Sequence, residues 1–395
     1  MDSFLRKELL RDTVYCLSDG RKDRELSCRK AKFYIQMVMI SVFSLIVIGL
    51  AFVLSTTYSL SLHKFGNPFV LFGRQFLWVV VGIVAMLVFS RIDTSVYGKF
   101  VKFILLFGIL ISILPFIPGV GKARGDAYRW INLGILNISS SEIVKMVLIL
   151  YISVVLSRKK DKSNFLNVFL PIFVVSVLFF VVVSLQLDVS MAFLVLVSSI
   201  VIMYVGGIPP LQVILTVLVS FFFILLFGEK FPYLQNRILA FLDPWSDPFG
   251  RGYHSIYMVK SFQNGVFGVG VGNGSIKEKY LPEAHTDSVF AVIGEEAGLI
   301  GALVVLTLFT TFFYYSLKLA VEVEDLYRSS LIVGFSTVIS VWAIVNIIVN
   351  IGLLPPTGTN LPLLSYGGAN MVTSLAGVGI IYRCYREFST CRKDT

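Results

Sequence analysis

The stretch YIQMVMISVFSLIVIGLAFVLS, residues 34–55, carries no charged side chain. A helix of about 20 apolar residues crosses the roughly 30 Å hydrocarbon layer of a bilayer, so this stretch predicts a transmembrane helix. The chain around it has a matching composition, because 56% of its 395 residues are hydrophobic and only 15% are charged. A soluble domain of this size could not bury so much apolar surface.

Further apolar runs follow, and they predict an all-α, polytopic membrane protein with about ten transmembrane helices. After the first, the runs lie at residues 69–89, 100–117, 143–156, 165–185, 189–205, 211–227, 289–317, 331–350 and 367–385. We expect a polar N-terminal tail at 1–33, one transmembrane domain at 34–385 and a short C-terminal tail at 386–395.

Lysine and arginine clusters predict the side of the membrane on which each loop lies, because short cytoplasmic loops are enriched in both. The N-terminal tail, the loop at 158–162 and the C-terminal end are basic, and ten alternating helices place all three in the cytoplasm. The tail is too long and too charged for a cleaved signal peptide, so the first run is expected to be retained. The loops at 119–142, 228–286 and 351–366 are then extracytoplasmic.

Cysteine usage agrees with this topology. Cys16, Cys28, Cys384 and Cys391 all lie in segments assigned to the reducing cytoplasm, so no disulfide framework is expected. The net charge of +10 comes mostly from the cytoplasmic clusters, which indicates topology and anionic lipid rather than nucleic acid. The sequence has neither a Gly-rich phosphate loop after a strand nor zinc-type Cys/His spacing.

Three cations lie in a loop predicted to be extracytoplasmic, where basic residues are uncommon. Lys122, Arg124 and Arg129 belong to GKARGDAYRWINLG, residues 121–134. They predict binding of an anionic group such as a pyrophosphate, for which arginine offers a two-pronged donor and lysine a point charge. The alternative is that they extend to the interface or pair with Asp126 and Glu142.

Ionisable residues inside the predicted bundle form a second candidate site. Glu142 and Lys145 are three residues apart and share one face of the fourth helix, and Asp188 interrupts apolar sequence between the fifth and sixth. Such groups are costly in a membrane, and they tend to face a water-filled cavity or a substrate. A structural ion pair for Glu142 and Lys145, and helix capping for Asp188, are the competing interpretations.

The segment YLPEAHTDSVFAVIGEEAG, residues 280–298, runs from a polar loop into an apolar helix. Asp287 suits a general base that takes the proton of an attacking sugar hydroxyl, with helix capping as its alternative. Glu283 suits positioning of the acceptor or metal binding, or it only ends the loop. His285 suits hydrogen bonding to either carboxylate, or packing at the interface. Glycoside hydrolysis also uses two carboxylates, but a pyrophosphate leaving group fits the three loop cations better. Downstream, Ser365 suits a hydrogen bond to a sugar, or loop capping.

In their order along the chain, these motifs resemble the SEDS proteins (shape, elongation, division and sporulation), which are polytopic polymerases of peptidoglycan glycan strands. The resemblance covers nearly all of residues 33–385 and is greatest to the division-type branch. It rests on RWINLG, FLDPWSDPFGRGY, YLPEAHTD with AVIGEEAG, and LPPTGTNLPLLSYGG. It implies the SEDS-type fold, Asp287 as the catalytic residue, Asp188 as an intramembrane acid, and Glu142 with Lys145 as the family's Glu/Lys pair.

The activity that this resemblance implies is an inverting glycosyl transfer. It would polymerise lipid II at the outer face of the bacterial cytoplasmic membrane during division, release undecaprenyl pyrophosphate, and act with a class B penicillin-binding protein and other division proteins. We expect no organic cofactor, and a divalent cation, magnesium or manganese, would bridge pyrophosphate and Asp287 or Glu283. The alternatives are a lipid II flippase or proton-coupled transporter that uses Asp188 and Glu142, and a non-catalytic division scaffold.

The chain departs from the family pattern at three places. Residues 186–191 read QLDVSM where the family usually has QPDLGT, which predicts a different turn beside Asp188. Ser139 and Ser140 replace the usual Gln-Pro, and Ser288 follows Asp287 where phenylalanine is typical. The smaller side chain at 288 predicts more space for the acceptor.

Overall fold

The computed structural model describes the backbone of residues 2–391 except 125–126, 133–136, 160, 228–231, 280 and 282. Side chains are described for the same residues except 2–24, 122–129, 132–138, 224–234, 278–280 and 391. Within these ranges the chain folds into a bundle of helices, which confirms the predicted helical membrane fold. The helices are α1 Asp2–Phe65, α2 Val70–Phe89, α3 Thr94–Ile113, α4 Ser140–Arg158, α5 Leu170–Leu185, α6 Val189–Val205, α7 Pro210–Phe227, α8 Pro232–Leu242, α9 Tyr253–Lys260, α10 Ile276–Lys279, α11 Val289–Glu296, α12 Gly298–Glu322, α13 Leu326–Asn350 and α14 Gly368–Cys391.

Every predicted apolar run coincides with helix. Among the described residues, seven helices are long and apolar enough to cross a membrane, namely α1 to α4, α5 with the turn before it, α12 and α13. The apolar helices at Val189–Val205 and Pro210–Phe223 are shorter, and α14 covers the last run. The run at 289–317 is two helices rather than one, because Gly298 has φ +64° and ends the regular backbone after α11.

A small sheet precedes α4, and apolar periodicity did not predict it. Its strands are β1 Gly121–Arg124, β2 Ala127–Asn132 and β3 Asn137–Ser139, paired antiparallel in the order β1-β2-β3. Trp130 pairs with Ser139, and Gly121 with Ile131. The predicted basic loop is therefore a folded hairpin with one further strand, and it leads directly into α4.

α13 lies at the centre of the bundle and packs against α4, α6, α12 and α14. Of its most apolar stretch, 78% is buried within the protein, against 28% for α2 and 22% for α3. α1 packs on α12 and α2, and Gly49 lets it approach residues 361–366 closely, since a Cβ there would lie 2.7 Å from Leu364 Cα. α13 and the segment at 361–366 are therefore held in the interior of the bundle by their neighbours.

Candidate functional site

The backbone of Asp287 is held by two amides on α13. Asn346 Nδ2 and Asn350 Nδ2 each donate to Asp287 O at 3.0 Å, and Asn350 Oδ1 accepts from Ala291 N at 3.1 Å. Both asparagines are buried, and they are four residues apart on one helical face. Buried amides with several partners have little freedom to move, so Asp287 and the first turn of α11 are fixed against the core helix.

The side chain of Asp287 remains partly exposed, at 22%, and cationic or polar groups surround it. Ser288 Oγ donates to Oδ1 at 3.4 Å, and His254 Nε2 lies 3.9 Å from Oδ2. Burial raises the pKa of the Asp287 carboxyl, while the His254 and Arg237 side chains act in the opposite direction and Glu283 adds to the rise. Asp287 is not the capping residue of α11. That helix begins at Val289, and Ser288 occupies the N-cap position between Asp287 and the helix.

Glu283, His285 and Ser365 join two predicted extracytoplasmic segments. Glu283 has φ +57°, its carbonyl accepts from Thr286 N at 2.9 Å, and its carboxylate lies 3.8 Å from His285 Nε2. The His285 ring packs edge-on against Tyr366 at 5.3 Å, and Tyr366 N donates to His285 O. Ser365 Oγ accepts from Leu361 N at 2.9 Å, which is the loop-capping geometry. Substrate contact by these three residues stays a prediction.

Glu142 and Lys145 form a buried ion pair with an Oε2–Nζ distance of 2.5 Å. Thr373 Oγ1 donates to the same Glu142 oxygen at 2.5 Å, and Lys145 Nζ lies 3.7 Å from the centroid of the Trp342 ring. Each member of the pair thus has a second partner on another helix, which is how a buried pair offsets its desolvation. The pair joins α4 to α13 and α14.

Asp188 lies at the start of α6, but its side chain does not cap that helix. Ser141 Oγ donates to Asp188 Oδ2 at 3.3 Å, and the Asp188 charge acts on Lys145. Asp188 is only 4% exposed. Its carboxylate therefore belongs to the same buried polar cluster as the Glu142–Lys145 pair.

The buried cluster and Asp287 lie along one face of α13. Trp342, which contacts Lys145, is four residues from Asn346, which binds Asp287, and four helical residues rise about 6 Å. The segment at 357–359 also connects the two groups. Ser190 Oγ, on α6 close to Asp188, donates to Thr357 O at 3.3 Å.

Gly358 allows that segment to pass over the site. A Cβ at Gly358, whose φ is +63°, would lie 3.0 Å from Arg237 Nη2 and 3.9 Å from Asp287 Oδ2. The structure therefore brings Glu142, Lys145 and Asp188 to the interior side of Asp287.

The other predicted groups have different outcomes. The side chains of Lys122, Arg124 and Arg129 lie outside the described residues, although their backbone belongs to β1 and β2. Within the described part of the chain, no cluster of three or more His, Cys, Asp or Glu side chains could hold a metal ion. A cation bound by Asp287 or Glu283 stays a prediction.

Residues 36–390 match the family model described as cell cycle protein, which groups FtsW, RodA and SpoVE. This chain belongs to the FtsW/RodA/SpoVE family. The predicted SEDS membership is thus confirmed, because these are the proteins that the SEDS name covers. The match spans nearly the same residues as the resemblance in the sequence.

Relatives within the FtsW/RodA/SpoVE family include a protein of Geobacter metallireducens named probable peptidoglycan glycosyltransferase FtsW. It is 32% identical over 359 residues, which is 90% of this chain and 96% of the relative. Stage V sporulation protein E of Bacillus subtilis is 31% identical and covers 89% of this chain and 96% of its own. Among solved structures, a chain of a peptidoglycan synthase complex that coordinates polymerization and crosslinking has a TM-score of 0.70 at 22% identity, covering 89% and 97% of the two chains. At that identity the likeness concerns the fold.

The departures from the family pattern have visible consequences. Leu187 has φ +60°, which the proline usual at this position could not adopt because its ring holds φ near −65°. Ser140 Oγ donates to Gln186 Oε1 at 2.9 Å, so the two altered motifs contact each other. The predicted change of turn beside Asp188 agrees with this backbone.

Sequence reasoning missed four residues of the site. Arg237 and His254 come from the 228–286 loop, and Asn346 and Asn350 from α13. The two asparagines had a signal, since NIIVN places two amides four residues apart on an otherwise apolar helix. His254 directly follows the RGY of the quoted motif, but nothing local shows that it faces Asp287.

Proposed function

We propose that this chain is a peptidoglycan glycosyltransferase that polymerises lipid II into glycan strands at the outer face of the bacterial cytoplasmic membrane. The observation that carries the proposal is the setting of Asp287. Its backbone is fixed by two buried amides while its carboxylate stays partly exposed beside Arg237 and His254. A fixed carboxylate with an open edge is what a general base requires.

In the proposed step, the Asp287 carboxylate removes the proton from a sugar hydroxyl of the acceptor. The hydroxyl oxygen forms a bond to the anomeric carbon of the donor lipid, on the face opposite the leaving group. The bond from that carbon to the pyrophosphate oxygen breaks, and undecaprenyl pyrophosphate leaves with the electron pair. The proton ends on Asp287, the configuration inverts, and the charges balance without an added oxidant or reductant.

Positive charge near the leaving group favours this reaction, because a pyrophosphate carries its negative charge away from the sugar. Arg237 lies within the electrostatic reach of Asp287, and we assign pyrophosphate binding to Lys122, Arg124 and Arg129 in the hairpin. The Glu142–Lys145 pair supports the site from inside the bundle. Because each of its members has a second partner on a neighbouring helix, the geometry favours a structural pair over the proton relay that a transporter would need.

A class B penicillin-binding protein is the proposed crosslinking partner, and the division septum the proposed location. The likeness to a chain of a complex that coordinates polymerization and crosslinking supports the partner. The description of the matching family, cell cycle protein, supports a role in the cell cycle.

The test is polymerisation of purified lipid II by the detergent-purified protein with its penicillin-binding partner, whose crosslinking site is inhibited. We expect long glycan from the wild type and a rate at least about a hundredfold lower for Asp287→Asn, the lower range for loss of a general base. Glu324→Gln, at an exposed position between α12 and α13, is the matched control and should retain wild-type activity. Normal polymerisation by a folded Asp287→Asn variant would reject Asp287 as the base.

A further inference from the structure

His254 and Ser288 form a chain of polar atoms that ends on the Asp287 carboxylate. His254 Nε2 lies 3.1 Å from Ser288 Oγ, and Ser288 Oγ lies 3.4 Å from Asp287 Oδ1. Ser288 is fully buried, and the His254 side chain is 22% exposed. The two asparagines on α13 bind only the backbone of Asp287, so this chain of atoms acts on the carboxylate itself.

The direction of these hydrogen bonds follows from the donors available. An ionised carboxylate can only accept, so the Ser288 hydroxyl proton points to Asp287 Oδ1. With its one proton used, Ser288 Oγ can only accept from His254, and Nε2 must carry a proton. The network therefore assigns a proton to Nε2 in both the neutral and the charged ring.

A tight turn at residues 247–252 places His254 beside Ser288. Asp247 O accepts from Gly252 N at 3.0 Å, and a Cβ on Gly252 would lie 1.8 Å from Pro244 O. Position 252 therefore accepts only glycine, because any side chain would overlap the backbone of Pro244. α9 begins at the next residue, Tyr253. His254 is thus in the first turn of a helix whose start is fixed by the turn.

We propose that His254 is a positioning residue that acts through the Ser288 hydroxyl to hold the Asp287 carboxylate in the orientation of the base. The proposal rests on the proposed function and extends it to two residues outside the predicted site. The phenylalanine typical at position 288 could not transmit this contact, because it has neither a donor nor an acceptor. With Oδ1 bound by Ser288, the other carboxylate oxygen, Oδ2, lies 3.9 Å from His254 Nε2 and 3.9 Å from the position that a Cβ on Gly358 would occupy.

The test compares kcat and KM for lipid II polymerisation in His254→Ala, Ser288→Ala, the double variant and His254→Gln. Misplacement of a reacting group by about 1 Å lowers rates by up to about a hundredfold, so we expect each alanine variant to lose between tenfold and a hundredfold of kcat with KM unchanged. Because the two residues act in series, the double variant should be no slower than either single one. Glutamine supplies an N–H donor to Ser288, so His254→Gln should restore most of the rate.

His63, exposed in the last turn of α1, provides the control substitution His63→Ala, which should leave kcat unchanged. Losses that multiply in the double variant, a His254→Gln variant as slow as His254→Ala, or a normal His254→Ala variant would each overturn the proposal. Asp287→Asn in the same assay distinguishes a failure of the proposed function from a failure of the role of His254. An active Asp287→Asn variant would remove the proposed function, whereas an inactive one beside a normal His254→Ala variant would remove only the role of His254.

Discussion

A carboxylate can act as a base only while it is ionised, and burial opposes ionisation. Asp287 is subject to both demands, since burial raises its pKa while His254 and Arg237 lower it. The structure resolves the conflict by leaving part of the side chain exposed and placing cationic or hydrogen-bonding groups on the rest. Three non-glycine residues of the described chain have positive φ: Glu283 in the segment that carries Asp287, Leu187 beside Asp188, and Leu363 in the segment that contacts His285 through Tyr366. Strained backbone of this kind persists where surrounding structure enforces it.

The raised pKa of Asp287 gives the reaction a defined pH dependence. As the pH falls through this raised pKa, the carboxylate gains a proton and the base is lost. We therefore expect kcat/KM to decline at a higher pH than the value of about 4 that is typical of a free aspartate. The measurement is the pH profile of lipid II polymerisation, with protein integrity checked at each pH. Activity that is undiminished down to about pH 4 would contradict the raised pKa.

At the scale of elements, the glycine-rich segment at 265–276 is attached to the end of α11. Glu295 Oε1 accepts from Ser275 N and Ile276 N at 2.7 and 2.9 Å, and Glu296 Oε2 accepts from Gly272 N at 2.9 Å. Both glutamates are almost fully buried. The close approach that the glycines permit is therefore made to α11, and it fixes the segment that leads through α10 to Asp287.

Lys277 completes this attachment. Its Nζ lies 2.5 Å from Glu296 Oε1 and 2.7 Å from Ser55 Oγ on α1. Lys277→Met would leave a buried carboxylate without its counter-charge, so we expect the free energy of unfolding to fall by about 3–5 kcal/mol. Lys277→Met with Glu296→Met should recover part of that loss, because the uncompensated charge is gone.

Denaturant unfolding in detergent measures these changes. Arg251→Ala is the matched control, because its pair with Asp247 is exposed and such pairs contribute about 0–1 kcal/mol. Equal losses for Lys277→Met and Arg251→Ala would show that the buried pair does not anchor the loop.

At the scale of the whole molecule, the predicted cytoplasmic loops meet at one end of the bundle. Arg383 contacts Asp93, Arg328 Nε lies 3.1 Å from Glu387 Oε2, and Thr94 N donates to the same carboxylate. These residues come from α14, the α2–α3 turn, the start of α3 and the start of α13. The contacts of Asp287, Thr357 and Ser190 lie at the other end of these helices. This division into two ends agrees with helices that alternate in direction across the membrane.

Cysteine labelling would assign each end to a side of the membrane. In a variant without native cysteines, we expect Phe249→Cys, at a position 91% exposed in the 228–286 loop, to react with a membrane-impermeant maleimide added outside spheroplasts. Glu324→Cys, between α12 and α13, should react only after permeabilisation. The reverse pattern would invert the predicted topology and place Asp287 in the cytoplasm.

The sequence by itself determined the helical membrane fold, the positions of the apolar runs and the segment that contains Asp287. It could do so because hydropathy over about 20 residues is a local property that the bilayer selects directly. Local pattern did not predict the break at Gly298 or the small sheet, since a backbone turn and strand pairing leave the apolar composition unchanged.

Only the tertiary structure decided which side chains surround Asp287. His254, Arg237, Asn346 and Asn350 are distant from it in sequence, and each reaches it through helix packing or a folded loop. The sequence marks a polar residue on an apolar helix as exceptional, but its partner depends on how helices rotate and pack against one another. Packing of α13 against α4 and the start of α11 is what joins a carboxylate, two amides and a buried ion pair into one site.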